Sequence, residues 1–280
     1  MATLDRNSQL CPNCRKLISR DEPHCPYCKL KAPGSWWKNN LMIGNLHDPD
    51  QVIKLIIGVN IVMFILTLLL NPRGTQMAID PFSFLSPDNR SLLLIGATGT
   101  IPIDSLGRWW SLISANFLHG SLLHIIFNMI ALRQIAPLVI AEYGMPRMFT
   151  IYLVGGMGGF LLSYLAGVRF TIGASASVCA LIGAALYYGK SRGGHYGEMI
   201  FKQIGGWAIG LFVFGMLVPG INNWGHGGGM AAGALIGLLM GYKERSREKL
   251  NHKIIGAICV AASAITLVLA TGTAFYYRFF

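Results

Sequence analysis

Charge is what this sequence holds least of. Only 12% of its 280 residues are Asp, Glu, Lys or Arg, and the acidic residues number 12. An ordinary soluble domain is about a quarter charged, so a water-exposed globule of this length is excluded. Long polar stretches are missing after the first fifty residues, where apolar runs recur. The chain is 53% hydrophobic with a mean hydropathy of +0.49, which points to an all-α polytopic membrane protein. No cleavable signal peptide is visible either, since the first fifty residues are polar and hold four of the six cysteines. Insertion is therefore expected to begin with the first transmembrane helix. A formal net charge of +11 would suit a nucleic-acid binder if the cations clustered on one face. They lie instead in the N-terminal segment and in short loops between apolar runs, as topology signals do, so no nucleic-acid partner is expected. An inverted repeat with paired broken helices, the mark of many transporters, is also missing.

The N-terminal fifty residues carry the cysteine pattern. Cys11-Pro12-Asn13-Cys14 and Cys25-Pro26-Tyr27-Cys28 are two C-x-x-C knuckles ten residues apart. Four thiolates in two such turns can close a tetrahedral shell around zinc; a pair of disulfides, or unrelated reactive thiols, is the other reading. With no position left open for substrate, the zinc would be structural, and it would supply much of the folding energy of so small a segment. Residues 1–34 are read as a zinc-ribbon-like domain and 35–50 as a linker. Thiolate ligands favour a reducing compartment, hence a cytoplasmic N-terminus. The ribbon's partner is not legible.

Seven hydrophobic helices follow, over about 51–70, 119–144, 147–167, 173–189, 199–218, 223–242 and 253–277. With the N-terminus inside, the inside loops collect Arg147, Lys190, Arg192, Lys202 and the basic run from Lys243 to Lys253. The outside loops hold few cations, in agreement with the positive-inside rule. The C-terminus then lies outside, and the membrane would be the plasma (inner) membrane if the source is bacterial. The long segment over 72–118 is broken by prolines yet rich in aromatics, including Trp109 and Trp110. It reads as a loop partly embedded at the interface, a solvated loop being the plainer alternative.

Chemistry-bearing residues sit at the outer ends of these helices. Ser175, flanked by small residues, opens the fourth, and His226 opens the sixth. A serine needs a base within hydrogen-bond reach to act as a nucleophile, and intramembrane ionisable residues are functional candidates because burying them is costly. Gly225, Gly229, Gly233, Gly237 and Gly241 recur every fourth residue on the sixth helix, as Ser175, Cys179 and Gly183 do on the fourth. Close packing of these stripes would bring His226 against Ser175. His124 and Asn128, one turn apart on the second helix, both offer hydrogen-bond donors suited to an oxyanion. A metal site of His119, His124 and His226 is the weaker alternative, as no H-E-x-x-H helix accompanies it. Ser177 is no substitute nucleophile: two helical steps turn it roughly 200° from Ser175.

The ordered motifs resemble the rhomboid family of intramembrane serine proteases. Gly107-Arg108-Trp109-Trp110-Ser111 through His119, His124 and Asn128 is similar to its outer loop and second helix. Gly173-Ala174-Ser175 with the run to Gly183 is similar to its G-x-S-G helix, and His226-Gly227-Gly228-Gly229 to its H-x-x-G motif. The resemblance covers about 51–242 and implies a six-helix rhomboid-like core, with 243–280 adding a basic cytoplasmic loop and a seventh helix. It implies a catalytic Ser175–His226 dyad and an oxyanion hole from His124, Asn128 and the Ser175 backbone N–H, with His119 nearby. No cofactor is implied for catalysis. Partners would be transmembrane protein substrates within the lipid bilayer. Where the family carries glycine after the nucleophile, this chain has Ala176; a catalytically weak or inactive rhomboid-like protein that binds membrane clients is the alternative.

Overall fold

The computed structural model describes residues 7–11, 16–34, 48–77, 83–218 and 220–279. They fall into two compact units, residues 1–56 and 57–280. In the first, strands β1 (Ser8–Leu10) and β2 (Leu17–Ser19) pair antiparallel, with Gln9 opposite Ile18. The core there is Cys11, Ile18 and Cys25, with Cys28 and Leu30 packed against it. So small a core cannot hold a fold by apolar burial alone. Cys14 and most of the expected linker (35–47) lie outside the described residues.

Among the described residues seven long helices follow: α1 (Pro49–Leu70), which begins in the first unit, α2 (Leu122–Tyr143), α3 (Met145–Leu165), α4 (Ser175–Arg192), α5 (Gly194–Leu217), α6 (Asn223–Met240) and α7 (Leu250–Phe279). Among the described residues, α1, α2, α3, α5 and α7 are long and apolar enough to cross a membrane. The remaining two, α4 and α6, are 18-residue helices rich in glycine and alanine. Local chemistry sets the ends. Ser121 caps α2 by accepting from the His124 N–H, Pro146 sits in the first turn of α3, and glycines at φ +65° and +67° (Gly193, Gly241) close α4 and α6.

Helices α3, α4 and α6 form the centre. A β-carbon on Gly233 would overlap the Ala180 carbonyl oxygen, one on Gly183 that of Met230, and one on Gly229 that of Ala176. On the other face of α6, a β-carbon on Gly159 of α3 would stand 2.5 Å from Gly225 O and 3.0 Å from Gly229 N. The glycine stripe thus brings backbone against backbone on two sides, as small residues allow where lipid removes the hydrophobic drive between helices. Helices α2 and α5 both pack on α4 but hardly on each other, and α7 packs on α3 and on the outer segment.

At the end opposite Ser175, Arg147 is fully buried rather than free in a loop. Its guanidinium donates to the carbonyl oxygens of Gly241 and Ser246 (2.7 Å for the latter) and to His252 Nδ1 at 3.1 Å. It therefore satisfies the carbonyl just past α6 and pins the turn into α7. The outer segment is folded rather than solvated. Strand β3 (Gln76–Met77) pairs with β4 (Phe84–Ser86), and Asp88 caps a short helix, Asn89–Ile95. Ile103, Leu112 and Ala115 join a core with Phe160 and Ala176, while Trp109 remains half exposed with its ring 5.4 Å from that of Tyr164.

Candidate active site

The chain enters α4 through an extended stretch held from the outer segment. Thr98 and Thr171 exchange backbone hydrogen bonds at 3.1 and 2.7 Å, and the Gly173 N–H donates to Ala115 O at 2.9 Å. Gly173 adopts φ +129°, a conformation open to glycine, and turns the chain so that Ser175 begins the helix. No side chain caps α4, so the first-turn N–H groups, that of Ser175 included, have no partner within the helix and carry its positive dipole end.

His124 faces the same point. A β-carbon on Gly173 would stand 2.9 Å from His124 Nε2 and 3.4 Å from Ser175 Oγ. The two side chains therefore share one small space that only glycine leaves open. The Gly120 N–H donates to His124 Nδ1 at 3.2 Å. A ring nitrogen that accepts carries no proton, so the neutral imidazole bears its hydrogen on Nε2 and offers it toward Ser175. Asn128, buried one turn later, donates from Nδ2 to His124 O at 2.9 Å and keeps a second amide hydrogen.

His226 is buried on the first turn of α6, and its Nδ1 has no hydrogen-bond partner among the described residues. Among the described residues no carboxylate bonds to that nitrogen. What places His226 is Asn222. The Asn222 Oδ1 accepts from the Gly225 N–H at 3.0 Å, while Nδ2 donates to Ser163 Oγ at 2.7 Å and Thr171 Oγ1 at 3.0 Å. The cap of the His226 helix is thereby fastened to α3 and to the stretch leading into Ser175. Gly229, less than a turn beyond His226, lies against Ala176, the neighbour of Ser175. Ser175 and His226 make no direct hydrogen bond here; nucleophile–base contacts are often long before substrate binds.

His119 is fully buried, packed edge-on against His124 with ring centroids 5.2 Å apart, and among the described residues neither of its ring nitrogens has a partner. The three histidines do not converge as metal ligands. Among the described residues the only such group is Cys11, Cys25 and Cys28, whose sulfurs lie within 4.8 Å of one another. The Ala176 methyl points away from the site, toward Gly159 (3.2 Å from where a β-carbon there would stand) and into the core with Phe160 and Leu112.

Spacing within the sequence singled out Ser175, His226, His124 and Asn128 as candidates. It missed Gly120, Asn222 and Thr171, whose roles come from partners distant in the chain. Asn222 alone left a local signal, an Asn two residues before an apolar, glycine-rich run, which is a helix-cap signature.

A family model described as "Rhomboid domain" matches residues 106–243. RHOMBOID-like protein 4 of Arabidopsis thaliana is 28% identical over 205 residues, covering 68% of this chain and 52% of that protein. Rhomboid protease GluP of Bacillus subtilis (strain 168) is 28% identical over 184 residues, 64% of this chain and 35% of its own length. RHOMBOID-like protein 5 of Arabidopsis thaliana is 28% identical over 222 residues, 68% of this chain and 67% of that one. The chain thus spans about half of the first relative and a third of the second.

Proposed function

Because this chain belongs to the rhomboid family, we propose that it is an intramembrane serine endopeptidase cutting the transmembrane segments of other membrane proteins. The observation that carries the reading is the convergence of His124 Nε2 and Ser175 Oγ beside Gly173, with the His226 helix seated against the same turn. In the first step Ser175 Oγ attacks the peptide carbonyl carbon while His226 takes the hydroxyl proton. The oxyanion accepts hydrogen bonds from the Ser175 N–H, from His124 Nε2–H and from the Asn128 amide. One such donor is worth about 10²–10³ in rate. His226 then gives its proton to the leaving amine, and the acyl-enzyme forms. A water, deprotonated by His226, attacks the ester and releases the new carboxylate, restoring Ser175.

Substrate access is read from α2 and α5. They flank α4 without closing over it, and α5 is mostly exposed along its length, so a substrate helix would approach Ser175 between them. The charge distribution favours a cytoplasmic N-terminus, with the site toward the opposite face and the C-terminus outside. In the client-binding alternative the Ala176 methyl would block the oxyanion space, and its placement against Gly159 speaks for catalysis instead.

The N-terminal cysteines fit a structural zinc. Sulfurs about 2.3 Å from a tetrahedral zinc stand about 3.8 Å apart, and Cys11 Sγ and Cys28 Sγ are 3.6 Å apart with no disulfide formed. The two knuckles are alike in backbone, Cys11 N–H donating to Lys16 O and Cys25 N–H to Leu30 O, both at 2.9 Å. Cys11, Cys25 and Cys28 would hold the ion with Cys14 as fourth ligand, supplying folding energy and no step of catalysis. Metal analysis of the purified chain should give one zinc per chain, falling toward none in Cys11→Ser.

The deciding experiment is fluorophosphonate labelling and cleavage of a transmembrane reporter by wild type, Ser175→Ala and His226→Ala in bilayers. Labelling and cleavage are expected in wild type alone. Cleavage surviving in Ser175→Ala ends the assignment, and a folded wild type that does neither returns the client-binding reading.

A further inference from the structure

Two hydrogen bonds join the start of α4 to residues 112–117 of the outer segment, one on each side of Ser175. Two residues before it, the Gly173 N–H donates to Ala115 O at 2.9 Å. Two residues after it, Ser177 Oγ donates to Asn116 Oδ1 at 2.7 Å. The Asn116 amide is fixed in turn, its Nδ2 donating to Leu112 O at 2.7 Å and to Ile113 O at 3.2 Å. Asn116 and Ser177 are both fully buried. Gly156 of α3 makes the room, since a β-carbon there would overlap Asn116 Oδ1 and Ser177 Oγ alike.

A buried polar pair contributes little net stability over an apolar pair of the same shape, and either member left alone is costly. Such a pair is therefore better explained by the geometry it enforces. Asn116 belongs to the stretch that continues through His119 to the capped start of α2, where His124 stands. Tying α4 to that stretch on both sides of Ser175 sets the nucleophile against the oxyanion donors, where misplacement by about 1 Å can cost 10²-fold in rate.

We propose that Asn116 and Ser177 are a positioning pair that holds Ser175 in register with His124 without either touching substrate. The proposal rests on the protease reading above.

The test compares wild type, Asn116→Ala, Ser177→Ala and the double variant in bilayers. It follows thermal midpoint, kcat and KM on a transmembrane reporter, and the rate of fluorophosphonate labelling at Ser175. Each single variant should lower kcat and labelling about ten- to a hundred-fold with KM within about two-fold, and lower the midpoint. Relative to Asn116→Ala, the double variant should regain part of the midpoint, because no unpaired Ser177 hydroxyl remains, while kcat and labelling stay low. A kcat that recovers together with the midpoint makes the pair mere packing and overturns the proposal, as do single variants with wild-type kcat. A folded wild type that neither labels nor cleaves instead overturns the protease reading, and the positioning role falls with it. Non-additive midpoints would then still report the contact, so the two failures are told apart.

Discussion

Helices α4 and α5 invert the usual relation between apolarity and burial. Twelve of the 18 residues of α4 are buried, but only four of the 24 in α5. Yet α5 is apolar enough to count as a membrane span, and α4 and α6 are not. In water the most apolar helix goes inside; in a bilayer lipid accepts apolar side chains as readily as protein does, and close packing decides the centre. Glycine and alanine therefore mark the closely packed α4 and α6, while leucine and phenylalanine lie exposed along α5. Helices α3, α4 and α6 make a compact trio, and the exposed apolar side chains lie on the helices around it.

The sharpest way to break this contrast is one methyl group placed in each class. Gly233→Ala should destabilise the protein by about 3 kcal/mol, because the new methyl meets the Ala180 carbonyl and both backbones would have to separate. Gly210→Ala on α5 meets nothing within 4 Å and should be neutral or slightly stabilising. Unfolding of both in a mild detergent series measures the difference; equal effects would dissolve the distinction. At the end remote from Ser175, Arg147→Met should cost about 2–3 kcal/mol by stranding the carbonyls of Gly241 and Ser246. Its loss should appear in protease sensitivity of the α6–α7 turn before it appears in activity.

The smallest effect concerns the outer segment. Burial pushes the Asp88 carboxyl up, but hydrogen bonds from Ser91, Asn71 and the Arg90 N–H outweigh that and hold its pKa below the usual value. A lowered folded pKa means the cap's contribution is present above the unfolded pKa and lost as pH falls through the folded one. Asp88→Ala should cost about 1 kcal/mol at neutral pH, and the gap to wild type should close in strong acid. A gap that persists unchanged there would remove Asp88 from the cap.

How much of this was legible follows from the range of each interaction. The seven helices, and the pairing of His124 with Asn128, depend on spacings of a few residues, so the sequence displays them. The glycine stripe on α6 foretold close packing with α4, and its second face, against α3, has its own four-residue pattern in Gly155, Gly159 and Ser163. Arg147 read as a loop cation because the carbonyls it serves lie 94 and 99 residues away. The partner of Ser177, Asn116, is 61 residues distant and left no local sign. The tautomer of His124 hangs on a backbone N–H, which no residue identity encodes.

The contact of Ala176 with Gly159 has a consequence for how this chain can change. The Ala176 methyl fits beside Gly159, where a β-carbon would stand 3.2 Å from it. That same β-carbon would stand 2.5 Å from Gly225 O and 3.0 Å from Gly229 N, so α6 bars a side chain at residue 159 whatever stands at 176. The two positions are therefore not interchangeable, and glycine at 176 would leave 159 as closed as before. Change is open to residue 176, while residue 159 is held to glycine by the backbone of the helix that carries His226.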